Sequence, residues 1–213
     1  SSLKNRYFTY RIIFIPETIG SIVYIKRNLK NLKKNVIAGF VVSCVGDNNN
    51  YSYLETRNSN SLTNKLADKI FSIKKIKFKR YSFLNRGSDE RQFNSPGVDL
   101  PIGSIMRTKY GEYKYYHTSL DNMKFISSKG FHGSYEIYKN IIDLIEINHK
   151  YKTNFICEPF LSDKGLKNTL GGGSLDNNFK EISDIIAYSD GKKDLIDLSN
   201  FLKIDLYKLN KLA

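Results

Sequence analysis

Hydrophobic and polar positions fall in blocks along this chain. Residues Tyr7 to Ile15 (YFTYRIIFI) are β-branched and aromatic and stop at Pro16, the pattern of a buried strand. From Thr18 to Lys34 apolar residues at Ile22, Val23, Ile25, Leu29 and Leu32 are separated by Lys and Asn, which predicts an amphipathic helix. Asn35 to Val45 (NVIAGFVVSCV) is a second strand-like run, closed by Gly46-Asp47. Strand, helix and strand in succession make a βαβ pattern, and the unbroken hydrophobicity of both strands predicts burial on both faces.

The pattern continues with a polar, Asn-rich stretch, Asp47 to Ser59, read as a surface loop. Ser61 to Ile73 predicts a helix with Leu62, Leu66, Ile70 and Phe71 on one face. Lys77 to Phe83 and Leu100 to Met106 predict strands, and Leu84 to Asp99, with Gly87, Pro96 and Gly97, predicts a loop between them. Arg107 to Asp121 is aromatic and irregular, and Ser134 to His149 predicts a long helix. The expected fold is α/β: an open, mostly parallel or mixed sheet with helices on both faces. Leu170 to Ser174 (LGGGS) reads as a linker. Beyond it, helices are expected at Phe179–Tyr188, Asp194–Leu202 and Asp205–Leu212, with a turn at Asp190-Gly191. Three short helices with tight turns suggest a helix-turn-helix unit of winged-helix type. The expected domains are residues 1–168, a linker at 169–177, and a helical unit at 178–213.

Composition changes this picture in three ways. No apolar run reaches the roughly 20 residues of a membrane span, so a soluble protein is expected. Two cysteines, Cys44 and Cys157, make no disulfide framework and suit a reducing, cytoplasmic setting as buried free thiols. The net charge is +13, from 34 Lys and Arg against 21 Asp and Glu. Such an excess would attract nucleic acid or another anionic partner, but it is mostly Lys alongside abundant Asn and Ile, which is also how a base-composition bias looks.

Three polar clusters follow successive strands, where active sites of open α/β sheets form. Glu17 opens the first helix, a position that the helix dipole alone would favour. Asp89 sits in Arg86-Gly87-Ser88-Asp89-Glu90, where an Asx-turn or helix cap is the plainer role. His117 lies among hydroxyls, with Asp121 near enough in sequence to orient its imidazole. Together, Glu, Asp and His are residue types that zinc accepts, and a spare carboxylate can take a proton from a metal-bound water.

These stretches resemble the zinc-dependent aminopeptidase superfamily of bacterial leucyl aminopeptidases, glutamate carboxypeptidases and glutaminyl cyclases. Glu17-Thr18-Ile19-Gly20 resembles that superfamily's Glu-Glu-x-Gly; Ser88-Asp89-Glu90-Arg91-Gln92-Phe93 approximates its Ser-Asp-x-x-x-Phe; Tyr116-His117-Thr118-Ser119-Leu120-Asp121 matches its Tyr-His-Thr-x-x-Asp. The longer stretches FIPETIGS, FLNRGSDERQFNSPGVDLP and MRTKYGEYKYYHTSLD are similar to one bacterial branch that joins this domain to a C-terminal winged helix. The resemblance implies Glu17 as general base, Asp89 and His117 as ligands of one or two zinc ions, and hydrolysis of peptide or related amide bonds. Thr18 stands where the superfamily has a metal-binding Glu, and residues 1–16 hold neither the His nor the Asp that complete its site, so a C-terminal part of a longer protein is expected. Arg91, Arg107 and Tyr110 lie beside the motifs as candidate substrate contacts, an Arg there being able to hold a carboxylate by two hydrogen bonds. The alternative is a non-catalytic scaffold that binds nucleic acid or another anion. The C-terminal helices could equally mediate homo-oligomer formation.

Overall fold

The computed structural model describes residues 6–159, 161 and 177–213, and the LGGGS segment of the expected linker lies outside them. The chain divides into two compact units, Ser1–Leu144 and Ile145–Ala213.

The first unit is built on a four-stranded mixed sheet. Its strands are β1 (Gly39–Val41), β2 (Tyr51–Leu54), β3 (Phe78–Tyr81) and β4 (Ile102–Met106), in the order β1-β4-β2-β3. β1 pairs parallel to β4, with Gly39 opposite Ile102, and β2 pairs parallel to β3. Only β2 and β4 run antiparallel, with Tyr53 opposite Ile105. Helix α1 (Ile19–Asn35) buries Ser21, Ile25 and Leu32, and its Ile25 and Leu32 pack with Phe93 and Leu100. The buried face follows positions 21, 25 and 32, so Ile22 and Val23, expected on the core stripe, are exposed instead. Helix α2 (Leu62–Ile73) is capped by Ser61, whose hydroxyl accepts the Asn64 amide, and buries Leu66, Ala67, Ile70 and Phe71. A short helix α3 (Glu90–Phe93) lies within the expected 84–99 loop, and α4 spans Ser128–Ile147 with Ile137, Ile141 and Leu144 buried.

Two expectations about strands are corrected. Residues 7–15 are assigned to no strand, although they carry the composition of one. Side chains of that type favour extended backbone, but a strand exists only where a neighbouring edge takes its hydrogen bonds. The run from Asn35 to Val45 contributes only three strand residues.

The third correction runs the other way. The Asn-rich stretch read as a loop contains β2, whose four residues are all buried. Its polarity is internally satisfied: the Ser52 hydroxyl donates to the Arg107 carbonyl at 2.7 Å, and the Tyr53 hydroxyl donates to Asn64 Oδ1. Burial pushes the Tyr53 phenol well above its ordinary range, so it stays a donor. Tyr53→Phe is expected to cost about 1–2 kcal/mol in a urea melt, because a buried acceptor loses its donor. An unchanged midpoint would show that Asn64 is satisfied by the Thr56 amide and hydroxyl.

The second unit holds α5 (Asn177–Tyr188), α6 (Leu195–Leu202) and α7 (Leu206–Leu212), with a two-stranded antiparallel sheet of β5 (Lys150–Lys152) and β6 (Asp190–Asp194). Asp194 caps α6 by accepting the Asp197 amide, and Asp205 caps α7 by accepting the Lys208 amide. Leu195, Ile196, Leu198, Leu206 and Leu209 are its buried apolar residues along α6 and α7. The expected turn at Asp190-Gly191 is the start of β6, so the unit is not purely helical. Among the described residues no helix is long and apolar enough to cross a membrane.

Candidate functional site

The three motifs meet in the first unit. Glu17 follows Pro16 and leads into α1. Its Oε1 accepts the Ser88 hydroxyl. The next residue, Asp89, reaches the same segment: its Oδ1 accepts the Thr18 amide at 2.7 Å and the Ser21 hydroxyl at 2.8 Å. The Ser-Asp motif therefore clamps the start of α1, supplying the anionic cap that Thr18 does not provide. Thr18 is held at φ 62°, a left-handed conformation costly for a β-branched residue, by those same bonds.

Glu17 and His117, distant in sequence, both line one cavity of about 430 Å³. His117 also adopts a left-handed backbone, φ 56°, and its ring stacks on Tyr116 with centroids 3.9 Å apart. Asp121 does not engage the imidazole as expected; its Oδ2 accepts the Tyr113 hydroxyl at 2.8 Å, and Tyr113 stacks on Phe125. Burial raises the Tyr116 phenol above its ordinary range, and the Glu17 carboxylate adds to the effect. Cys44 also lines the cavity, but burial pushes its thiol up, the opposite of an activated nucleophile. Cys157 is exposed rather than buried.

Cavity chemistry runs against the chain's overall charge. The acidic residues Glu17, Asp47 and Asp121 line it, while no Lys or Arg does among the described residues. Asp47 is itself buried and engaged, accepting the Thr108 amide and hydroxyl and the Asn49 amide.

The candidate substrate contacts fall in three different environments. Arg107 is buried; its Nε donates to the Asp47 carbonyl at 2.9 Å and its guanidinium lies 4.1 Å from the Tyr51 ring centre. Arg91 is exposed and reaches the Thr18 hydroxyl at 3.4 Å. Tyr110 lines the cavity, and its hydroxyl donates to Glu90 at 2.6 Å.

Glu90 is the residue that sequence reasoning passed over. It is fully buried, and its carboxylate accepts the Gly87 amide, the Ser88 amide, the Tyr110 hydroxyl and, through Oε2, the Ser104 hydroxyl. It fixes the loop that presents Ser88 and Asp89. The available signal was its place inside the Ser-Asp motif, where a charged neighbour of a candidate residue looks like ordinary solvated surface.

Among the described residues no group of three or more His, Cys, Asp or Glu side chains is placed to hold a metal ion. Asp89 has one oxygen engaged twice at the head of α1, and Glu17 has one engaged by Ser88.

A mixed α/β sheet with this cavity beside it, followed by a helix-turn-helix unit with a small sheet, defines an aminopeptidase-like chain with a winged helix. The crystal structure of a candidate peptidase from Clostridium acetobutylicum superposes with a TM-score of 0.76 at 33% identity, covering 92% of this chain and 44% of that one. The aminopeptidase from Aneurinibacillus sp. strain AM-1 shares the fold at a TM-score of 0.50 and 19% identity, over 58% of this chain and 29% of its own. Residues 1–148 match the family model described as domain of unknown function DUF4910, and the chain belongs to that family. Residues 149–213 match a winged helix-turn-helix model. A Clostridium acetobutylicum protein, named as a candidate polysaccharide biosynthesis protein with aminopeptidase-like domain, is 41% identical over 202 residues, covering 93% of this chain and 46% of its own length. The chain thus spans just under half the length of each of these two Clostridium acetobutylicum relatives.

Proposed function

We propose that this chain forms part of an aminopeptidase-like hydrolase that acts on peptide or related amide bonds beside a free amino group. The observation that carries this reading is the acidic cavity: in a chain of net charge +13, the described lining is Glu17, Asp47, Asp121 and His117 with tyrosine and phenylalanine walls, and no cation. A pocket of that sign favours an ammonium group and an apolar side chain and disfavours carboxylates and phosphates.

In this reading Glu17 is the proton carrier. It is exposed to the cavity, and the Ser88 hydroxyl fixes one of its oxygens, so the carboxylate is held in one orientation. It takes a proton from the attacking water and returns it to the leaving nitrogen. Zinc is part of the proposal, with Asp89 and His117 as the ligands this chain contributes. The described residues do not make a zinc site by themselves, since no three donors converge. In this reading Tyr110, on the cavity wall, borders a substrate; Arg91 is exposed at the head of α1 and outside the cavity lining, and the interior position of Arg107 makes it a support for the Asp47 loop. A cytoplasmic setting fits the two free thiols.

Calorimetric titration tests the reading with an aminoacyl arylamide and its N-acetylated counterpart. The free amine is expected to bind at least about 10-fold more tightly, with the preference reduced in Glu17→Gln. Equal binding of the two compounds sinks the amine-site reading.

The nucleic-acid alternative finds less support in the second unit. Residues 145–213 hold ten Lys and ten Asp or Glu, so the whole net charge of +13 resides in residues 1–144. A neutral winged helix lacks the cationic excess that drives phosphate binding. Its exposed Tyr188, Phe201 and Tyr207 suit contact between copies better.

A further inference from the structure

Three successive carbonyls beyond β1 are tied to the body of the first unit. The Cys44 carbonyl accepts the Arg107 amide at 2.9 Å, the Val45 carbonyl accepts the Ser134 hydroxyl at 2.8 Å, and the Gly46 carbonyl accepts the Ser127 amide at 2.8 Å. The peptide bonds are trans, so the N–H of each following residue points away from the group that holds the carbonyl before it. Those N–H groups belong to Val45, Gly46 and Asp47, and all three residues line the cavity of Glu17 and His117. Among the described residues none of the three N–H groups meets an acceptor, although Gly46 and Asp47 are buried. A buried N–H without a protein partner is rare and costly, and it is kept where a ligand or a water supplies the acceptor.

The local sequence suits this arrangement. Cys44 is left-handed, φ 51°, the kind of turn that brings consecutive N–H groups to one side of the chain. Gly46 has no side chain where one would collide: an added Cβ would lie 2.9 Å from Phe131 and 3.0 Å from Ile126, two residues of the cavity wall. The Asp47 carboxylate does not compete for these donors, because Asn49 and Thr108 occupy both of its oxygens. The lining also decides which acceptor fits. It holds Glu17, Asp47 and Asp121 and, among the described residues, no Lys or Arg, so an anionic ligand is repelled. A neutral carbonyl oxygen is not.

We infer that the backbone N–H groups of Val45, Gly46 and Asp47 hold the carbonyl oxygen of the amide bond that is cleaved. This rests on the amide-hydrolase reading above. Addition of water forms a C–O bond and moves the carbonyl π pair onto oxygen, while Glu17 takes the water proton. On collapse that pair re-forms the carbonyl, the C–N bond breaks, and the proton leaves on the nitrogen. The three N–H groups face the oxygen on which charge develops. They are fixed beforehand by the bonds to Arg107, Ser134 and Ser127, so they need no reorganisation as it does.

The test is a titration of this chain, followed by proton–nitrogen NMR, with leucinamide and with isopentylamine, which has hydrogen in place of the carboxamide. Both carry the ammonium group, and only leucinamide carries the carbonyl. Leucinamide is expected to shift the Gly46 N–H resonance downfield and to slow its hydrogen exchange by at least about 10-fold, and isopentylamine to do neither. Glycolic acid in place of Gly46 exchanges one amide for an ester and removes that N–H. It is expected to abolish a preference for leucinamide of at least about 3-fold. Ser134→Ala, which releases the Val45 carbonyl but keeps the N–H, should retain the preference. Binding of leucinamide with the Gly46 resonance unmoved overturns the inference and leaves the amine-site reading standing. A preference that survives the ester does the same. Binding of neither compound sinks both.

Discussion

Glu17→Gln is expected to lower kcat for amide hydrolysis by about 10³-fold, within the range that a positioned proton carrier supplies. The assay belongs on the chain joined to the polypeptide that its Clostridium acetobutylicum relative carries outside the matched region. Glutamine keeps the size and an oxygen that accepts the Ser88 hydroxyl, so the melting temperature should not move. Zinc per chain, measured by plasma mass spectrometry, should persist in Glu17→Gln and fall in His117→Ala and Asp89→Asn. Asparagine is the informative choice at position 89 because it keeps the acceptor for the Thr18 amide and the Ser21 hydroxyl while removing the charge a metal would need. Loss of zinc in Glu17→Gln would make Glu17 a ligand and displace it as the base. Full activity in Glu17→Gln would end the hydrolase mechanism proposed for this residue.

Glu90→Ala is expected to destabilise the chain by about 3 kcal/mol, read as a lower urea midpoint. The substitution removes one buried carboxylate and strands the Gly87 and Ser88 amides, the Tyr110 hydroxyl and the Ser104 hydroxyl at once. Glu90→Gln, which can still accept some of these bonds, should lose about half as much. The effect should spread to the site, because the 87–89 loop presents Ser88 to Glu17 and Asp89 to the head of α1. A midpoint within about 0.5 kcal/mol of the parent would show that the loop holds its shape without the carboxylate.

Local rules carried much of the fold. Helical spacing placed α1, α2, α5, α6 and α7 within one or two residues, and α2, α6 and α7 begin at recognisable caps, Ser61, Asp194 and Asp205. Strands were less legible. β2 hides behind Asn48, Asn49 and Asn50, and its tyrosine and serine look polar until their hydroxyls are seen to be paired inside. β5 and β6 are short and charged, and their pairing joins residues about 40 positions apart. Residues 7–15 show the reverse failure: the strand composition is present and the partner edge is not among the described residues.

At the site, the sequence by itself singled out the candidate residues. Glu17, Asp89 and His117 stood out because carboxylates and an imidazole after strands, in motifs resembling one superfamily, narrow the possible reactions. Only the tertiary structure decided what each of them meets. It placed Glu17 and His117 on one cavity, turned Asp89 toward the amide of Thr18, buried Arg107 under the Asp47 loop and made Glu90 the centre of four hydrogen bonds. The reason is physical: residue type fixes what a group can donate, accept or ionise, whereas the partner it meets depends on contacts between positions some seventy residues apart, as between Glu17 and Ser88. By sequence, residues 7–15 also have the composition of a buried strand, and only the structure showed Ile12, Ile13 and Phe14 exposed.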